Sequence, residues 1–247
     1  MRVKARRRRA SPIARLKPFW IPIALVGVLV LAALSVGGTW SGFNPTQVAV
    51  SGNHQVSSAE ILRRAEIPSH VSIWLQNTGA IASRIAAIPY VGAVHVHRVP
   101  PSAIRILVVE RVPFAVLRSP VGDAVVDRDL RVLAPASGDE SLPVLLVESD
   151  ADVTPGEYLR SRDATELRDA YEAMAARRII PSELQFDRYG GLVVTIQGGL
   201  RLLLGTQNDL PEKLTLANAI LAQVVGRQRR VAAIDLRAPA APVLVYR

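Results

Sequence analysis

The chain has 247 residues, 49% of them hydrophobic but only 5% aromatic, and no cysteine. That is enough for one or two domains with an aliphatic core, and it excludes disulfides, zinc–thiolate sites and cysteine nucleophiles. The net charge of +9 belongs to one end: eight of the 30 basic residues fall within residues 1–18, leaving 22 against 21 acidic residues elsewhere, so the remainder offers no basic face for nucleic acid.

Residues 1–18 read as a basic cytoplasmic tail, with Arg6–Arg9 as a topology signal. Residues 19–40 carry no charge, and Phe19, Trp20 and Trp40 bracket them. An apolar run of that length matches the bilayer's hydrocarbon core, with the aromatic rings at headgroup level, and predicts a transmembrane helix. It is longer than a signal-peptide core, although a small-x-small pattern near Ser35–Gly37 leaves cleavage as the alternative. The positive-inside rule then puts the N-terminus in the cytoplasm and residues 41–247 outside.

After the span, Gln47–Ser51 alternates like a half-buried strand, and Gly52-Asn53 supplies a turn. Ser57 and Glu60 form a capping box for a short helix with an Ile61, Leu62 and Ala65 face, ended by Pro68. Ile81, Ile85 and Ile88 make the stripe of a second helix, stopped by Pro89. Val94 and Val96 alternate with His95 and His97. Beyond a turn at Pro100-Pro101, Ile104, Ile106 and Val108 alternate with Arg105, Leu107 and Val109. The order is β-α-α-β-β over residues 45–113. Glu110-Arg111 either makes surface ion pairs or holds this module against the second domain, and Pro113 implies a short stiff junction.

From 114 to 247, alternating runs fall at 114–118, 124–127, 142–147, 192–197, 200–204, 231–236 and 242–247, with Pro- and Gly-rich turns between them. One helix carries Leu167, Ala170, Tyr171, Met174 and Ala175. Another is capped by Asp209, has Pro211 in its first turn, and carries Leu210, Leu214, Ala217, Leu221 and Val224. The whole predicts an α+β fold whose second domain is a mostly antiparallel sheet with two helices.

Chemistry is hard to find. His95 and His97 share a strand face but lack a third ligand, so a metal site is not expected. No G-x-S-x-G elbow surrounds Ser119 or Ser161. Asp127 and Asp129 read as turn formers rather than as a glycan-cleaving pair. The glycine pairs at 190–191 and 198–199 precede no Lys-Ser/Thr and open no helix, so they are not phosphate loops. No catalytic residue and no cofactor is expected. The terminal run PVLVYR places Val243 and Val245 on one face and Leu244 and Tyr246 on the other, so a partner or the chain itself must cover it. A small sheet with an open edge is likewise a docking template, because a guest strand can complete its hydrogen bonds.

The pattern from Val48 through VxGNxxVSxxEIL, followed by IPYVGAVHVHRVPPSAIRILVVERVPFAV, resembles a POTRA domain. It is similar, more narrowly, to that of the FtsQ/DivIB family of bacterial cell-division proteins. AVVDRDLRVL (124–133) resembles that family's VD-x-x-G segment, with Leu130 where glycine is usual. LRLLLGTQNDLPEKLTLANAIL (200–221) resembles its LG…K helix entry, and AAIDLRAPAAPVLVYR (232–247) its closing IDLR and strand. The resemblance implies a single-pass protein of the bacterial inner membrane: tail 1–18, span 19–40, POTRA domain 45–113 and FtsQ-type β domain 114–247. It implies a scaffold that binds FtsB- and FtsL-type bitopic division proteins and helps control septal peptidoglycan synthesis. Arg237 would pair with an acidic residue of the FtsB-type partner, and residues 243–246 would extend the sheet. A POTRA protein of assembly or secretion, or a membrane-anchored wall hydrolase, stands as the alternative.

Overall fold

A computed structural model of the chain describes residues 17–138, 140–148, 153–224 and 231–246. The expected basic tail, apart from Lys17 and Pro18, lies outside them. Helix α1 (Lys17–Thr39) has 23 residues, with Pro22 in its N-terminal part. Its described side chains, among them Trp20, Leu25, Val28 and Leu31, are exposed. Side chains at 17–19, 21, 33, 34, 37 and 38 are outside the description, and among the described residues no helix is long and apolar enough to cross a membrane. A helix over the expected span is therefore observed, while its crossing of a bilayer is not. A 3-10 turn (Ser41–Phe43) comes next.

Two compact units are present. The first holds residues 1–52, 57–84 and 94–107, and the second holds 53–56, 85–93 and 108–247. The N-terminal three-stranded sheet has the order β1 (Gln47–Ser51), β3 (Ala103–Glu110), β2 (Val91–Val99), and β1 runs parallel to β3. Between β1 and β2 lie α2 (Ser58–Ala65) and α3 (Thr78–Ala86). The expected β-α-α-β-β order is therefore observed. Gly52 turns the chain at φ 84°, and the Ser57 side chain accepts the Glu60 N–H, as a capping box requires. Ile61 and Ala65 are buried, but Leu62 is exposed, because position 62 lies one residue off the face that meets the sheet. The helix ends on Glu66 in the left-handed conformation, before Pro68 can act. Ile81, Ile85 and Ile88 are buried as the stripe requires, and so are Ile104, Ile106 and Val108.

Among the described residues the second sheet has nine strands. They are β4 (Ala115–Ser119), β5 (Gly122–Val126), β6 (Val132–Pro135), β7 (Val144–Leu146), β8 (Pro181–Phe186), β9 (Leu192–Ile196), β10 (Leu200–Gly205), β11 (Val231–Asp235) and β12 (Val243–Tyr246), in the spatial order β12-β11-β10-β9-β8-β7-β4-β5-β6. Parallel pairs β4/β7, β7/β8 and β10/β11 sit among antiparallel ones. Helices α4 (Arg162–Ala175) and α5 (Leu210–Val224) cover a core that includes Leu117, Val126, Leu145, Leu167, Met174, Leu184 and Leu214. Strands β6 and β8 carry too little alternation to stand out in the sequence: β6 has four residues and β8 opens on a proline. Ala175 is exposed, and Tyr171 only partly buried. Asp209 takes φ 59°, away from the extended geometry of an N-cap, and α5 starts instead on its carbonyl, which accepts the N–H of Glu212 and Lys213. The turn at 127–131 forms despite Leu130, which adopts φ 59° with its side chain buried.

Candidate functional site

Strand β12 ends the nine-stranded sheet. Among the described residues it pairs antiparallel with β11 alone, in the register Val243↔Asp235, Leu244↔Ile234, Val245↔Ala233 and Tyr246↔Val231. All four of its side chains are exposed, from 36 to 64%. In an edge strand, alternate residues aim their N–H and C=O away from the sheet. Such edges are normally blunted by lysine, proline or a bulge, yet the four residues V-L-V-Y contain neither lysine nor proline, and the irregularity in this ladder lies between Val231 and Ala233 of β11. The opposite edge is guarded. There Val132 of β6 donates to the Glu157 carbonyl (2.9 Å) and accepts from Gly156 N–H (2.8 Å).

Arg237 lies just beyond β11. Its guanidinium closes on Asp235, with Nε 3.0 Å from both carboxylate oxygens, and its backbone N–H donates to Asp235 Oδ1 at 3.0 Å. Arg237, expected to meet an acidic residue of a partner, thus already pairs within its own chain. The pair holds the Asp235 carboxyl below its ordinary range, mainly through the Arg237 side-chain hydrogen bond. Gly205, at φ 64°, lies under Arg237: a Cβ there would stand 3.0 Å from Arg237 Cγ. The Arg237 side chain remains 61% exposed, so the pair is accessible. Five expected partner-binding residues, Arg237, Val243, Leu244, Val245 and Tyr246, therefore belong to one sheet edge and the loop leading to it.

A second cluster lies within the second unit. The Arg111 guanidinium pairs through Nη1 with Asp127 Oδ2, stands 3.4 Å from Asp129 Oδ2, and donates through Nη2 to Tyr158 Oη at 3.0 Å. Arg111 and Arg131 both lie over the Tyr158 ring, at 5.7 and 5.6 Å from its centroid. Asp127 is also the expected turn former, since its Oδ1 accepts Arg131 N–H at 2.8 Å. Both of its oxygens are thus engaged by donors, and it lies with Asp129 beside a cleft of about 480 Å³ that Arg111, Phe114, Arg128 and Tyr171 also line. Glu110 turns the other way and accepts N–H from Gln55 and Val56 at 2.8 Å each. Burial pushes its carboxyl up, but these backbone donors and that of His54 outweigh burial and hold it below its ordinary range. Glu110 and Arg111 thus both make their contacts within the second unit, Glu110 with the backbone at 55–56 and Arg111 with Asp127, Asp129 and Tyr158.

The remaining candidates have plain local roles. Ser161 caps α4 by accepting Ala164 N–H at 3.3 Å, and Ser119 Oγ donates to the Gly122 carbonyl. His95 and His97 stack with ring centroids 6.4 Å apart, and no cluster of three or more metal-binding side chains occurs among the described residues. Lys213 is the lysine of the LG…K segment, and its role is not evident from that pattern. It is buried, and its Nζ donates to the carbonyls of Leu204 (2.9 Å) and Thr206 (2.7 Å), tying α5 to the end of β10.

Comparison with known proteins gives two adjacent matches. Residues 43–111 match the POTRA domain of FtsQ type, and residues 115–237 match the family described as cell division protein FtsQ/DivIB, C-terminal. The second match stops at Arg237, so β12 lies beyond it. A cell division protein FtsQ of Mycobacteroides abscessus is 29% identical over 217 residues, covering 86% of this chain and 68% of the relative. One from Mycobacterium tuberculosis is 28% identical over 218 residues, covering 86% and 67%. Another from Streptomyces bingchenggensis is 26% identical over 257 residues, covering 98% and 91%.

Proposed function

The chain belongs to the FtsQ/DivIB family of cell division proteins, and from that premise we propose that it is a single-pass scaffold of the division machinery. Helix α1 would be its anchor: its 23 residues reach about 34 Å against a hydrocarbon core of about 30 Å, and the full sequence of residues 19–40, including the side chains outside the description, carries no charge. Arg6–Arg9 hold the N-terminus in the cytoplasm, and residues 45–113 and 114–247 act outside as POTRA and β modules. The protein turns over no substrate and needs no cofactor. It captures bitopic division proteins of the FtsB and FtsL type and so conditions septal peptidoglycan synthesis.

The observation that carries this reading is the β12 edge, which has no neighbouring strand beyond it among the described residues and is apolar and exposed on both faces. A guest segment would add a tenth strand: main-chain hydrogen bonds would supply affinity, and the side chains of Val243, Leu244, Val245 and Tyr246 would supply fit. Arg237, largely turned to solvent, would donate to a second carboxylate, from the guest, beside Asp235. The test is co-purification from membranes of cells that also contain an FtsB-type partner. Replacing Val243 and Val245 together by lysine places two charges on the edge without touching the buried core. The reading predicts that the partner is lost from the eluate while circular dichroism is unchanged. Undiminished capture would remove the site from β12.

A further inference from the structure

We infer that the loop Ser72–Gln76 docks on the outer leaflet of the membrane, with Trp74 and Leu75 inserted at headgroup level. This rests on α1 being the anchor. The loop is built to hold two large apolar side chains in an outward position. Ile73 is fully buried beneath it, and its N–H donates to the Phe43 carbonyl at 2.8 Å. Two polar residues of the loop, Ser72 and Gln76, are themselves buried. Gln76 Nε2 donates to the carbonyls of Pro68 (2.8 Å) and Val71 (2.9 Å), while Ser72 Oγ accepts Trp74 N–H at 3.3 Å. Arg98, from β2, braces the loop from the sheet, donating to the Ile73 and Gln76 carbonyls at 2.7 Å each. The side chains this framework presents, Trp74 and Leu75, are 50% and 60% exposed. A rigid display of adjacent tryptophan and leucine in water is unfavourable, and it indicates a surface that covers them.

The chain's own connectivity says which surface. Trp40 follows α1 directly, and its ring meets Phe43 edge-on at 5.4 Å. Phe43 in turn meets Trp74 edge-on at 6.4 Å. Trp40, Phe43 and Trp74 thus form one aromatic run leading from the end of the anchor to the loop, and the two centroid separations keep Trp74 within about 12 Å of Trp40. Tryptophan favours the interface, where its ring is apolar and its N–H stays wet, and the interfacial region with the upper acyl chains is about 5–10 Å deep. With Trp40 at that level, the loop is tethered beside it. Docking at two points, α1 and this loop, would fix the tilt of the first unit on the membrane, which a lone flexible tether would leave free.

The absence of native cysteine permits a direct test, because one introduced cysteine is a unique label site. Full-length protein bearing a nitroxide at Leu75→Cys is reconstituted into vesicles of phosphatidylcholine and phosphatidylglycerol, and collision rates with oxygen and with a neutral nickel chelate are compared. Val28→Cys reports the anchor and Tyr189→Cys a solvent-exposed reference. The expected oxygen-to-nickel ratio at 75 exceeds that at 189 by about threefold or more, as for an interfacial side chain. In addition, Trp74→Ser in the Leu75→Cys background lowers it towards the value at 189. A ratio at 75 equal to that at 189, with a high ratio at 28, overturns the docking and leaves the anchor standing. A ratio at 28 as low as that at 189 overturns both.

Discussion

Asp127 is the residue whose loss discriminates most sharply between a turn former and a buried electrostatic tie. Its side chain is 6% exposed and that of its partner Arg111 14%, whereas Asp129, 3.4 Å from the same guanidinium, is 74% exposed. Asp127→Asn keeps the volume and an acceptor for the Arg131 N–H, so the turn survives, but it removes the charge facing Arg111. Breaking a buried pair from one side costs about 3–5 kcal/mol because the other charge is left uncompensated. Here the Tyr158 hydroxyl and ring and the exposed Asp129 remain to solvate Arg111, which lowers the expectation to about 2–4 kcal/mol. With about 2–4 °C per kcal/mol for a domain of this size, Tm should fall by about 5–15 °C. Asp129→Asn, a surface partner, should change stability by less than about 1 kcal/mol. Urea unfolding of the detergent-solubilised chain, followed by far-ultraviolet circular dichroism, measures both. Equal losses for the two variants, or less than about 1 kcal/mol for Asp127→Asn, would refute the tie.

Three other outcomes are expected of the same structure. Leu130→Gly should destabilise by about 1–3 kcal/mol: relief of a left-handed φ returns about 1–2 kcal/mol, but emptying a buried leucine site costs more; thermal unfolding gives the sign. Lys213→Ala leaves the Leu204 and Thr206 carbonyls without their donor and should cost about 2–4 kcal/mol, read from the urea midpoint. Glu110 has a folded-state pKa below its ordinary value of 4.5, so its contribution is fully present above about pH 4.5 and is lost as pH falls through the lowered value. Glu110→Gln should therefore lower stability at pH 7 and flatten its dependence on pH below about 4.5, as measured by unfolding across an acid series.

The parts of this fold that are local in sequence were legible in it. The Ile81 and Ile85 face, the Ser57 cap and the Ile104–Val108 alternation result from period and capping alone, and each is formed, while Ile88 is buried two residues beyond the end of α3. What was missed depends on distant partners. Nothing near Arg111 announces Asp127, sixteen residues on, and the buried ammonium of Lys213 makes sense only once α5 lies against the end of β10. Strand β8 is assembled by pairing with β7 and β9 rather than by its own pattern. Leu130 shows a different limit. Its left-handed turn is stabilised by burial and by the hydrogen bonds of Asp127, so the usual glycine is dispensable here. At the candidate site, the residue types at 243–246 indicated a strand apolar on both faces, but only the strand order shows it to be an outer one with no neighbour beyond it among the described residues.

Hydrogen–deuterium exchange at the amides of Val243–Tyr246, with and without a purified FtsB-type partner, tests the scaffold reading most directly. Outward-facing amides of β12 are expected to exchange fast in the free protein and to slow by about tenfold or more when a guest strand pairs with them. A stable complex that leaves exchange at β12 unchanged would contradict the account.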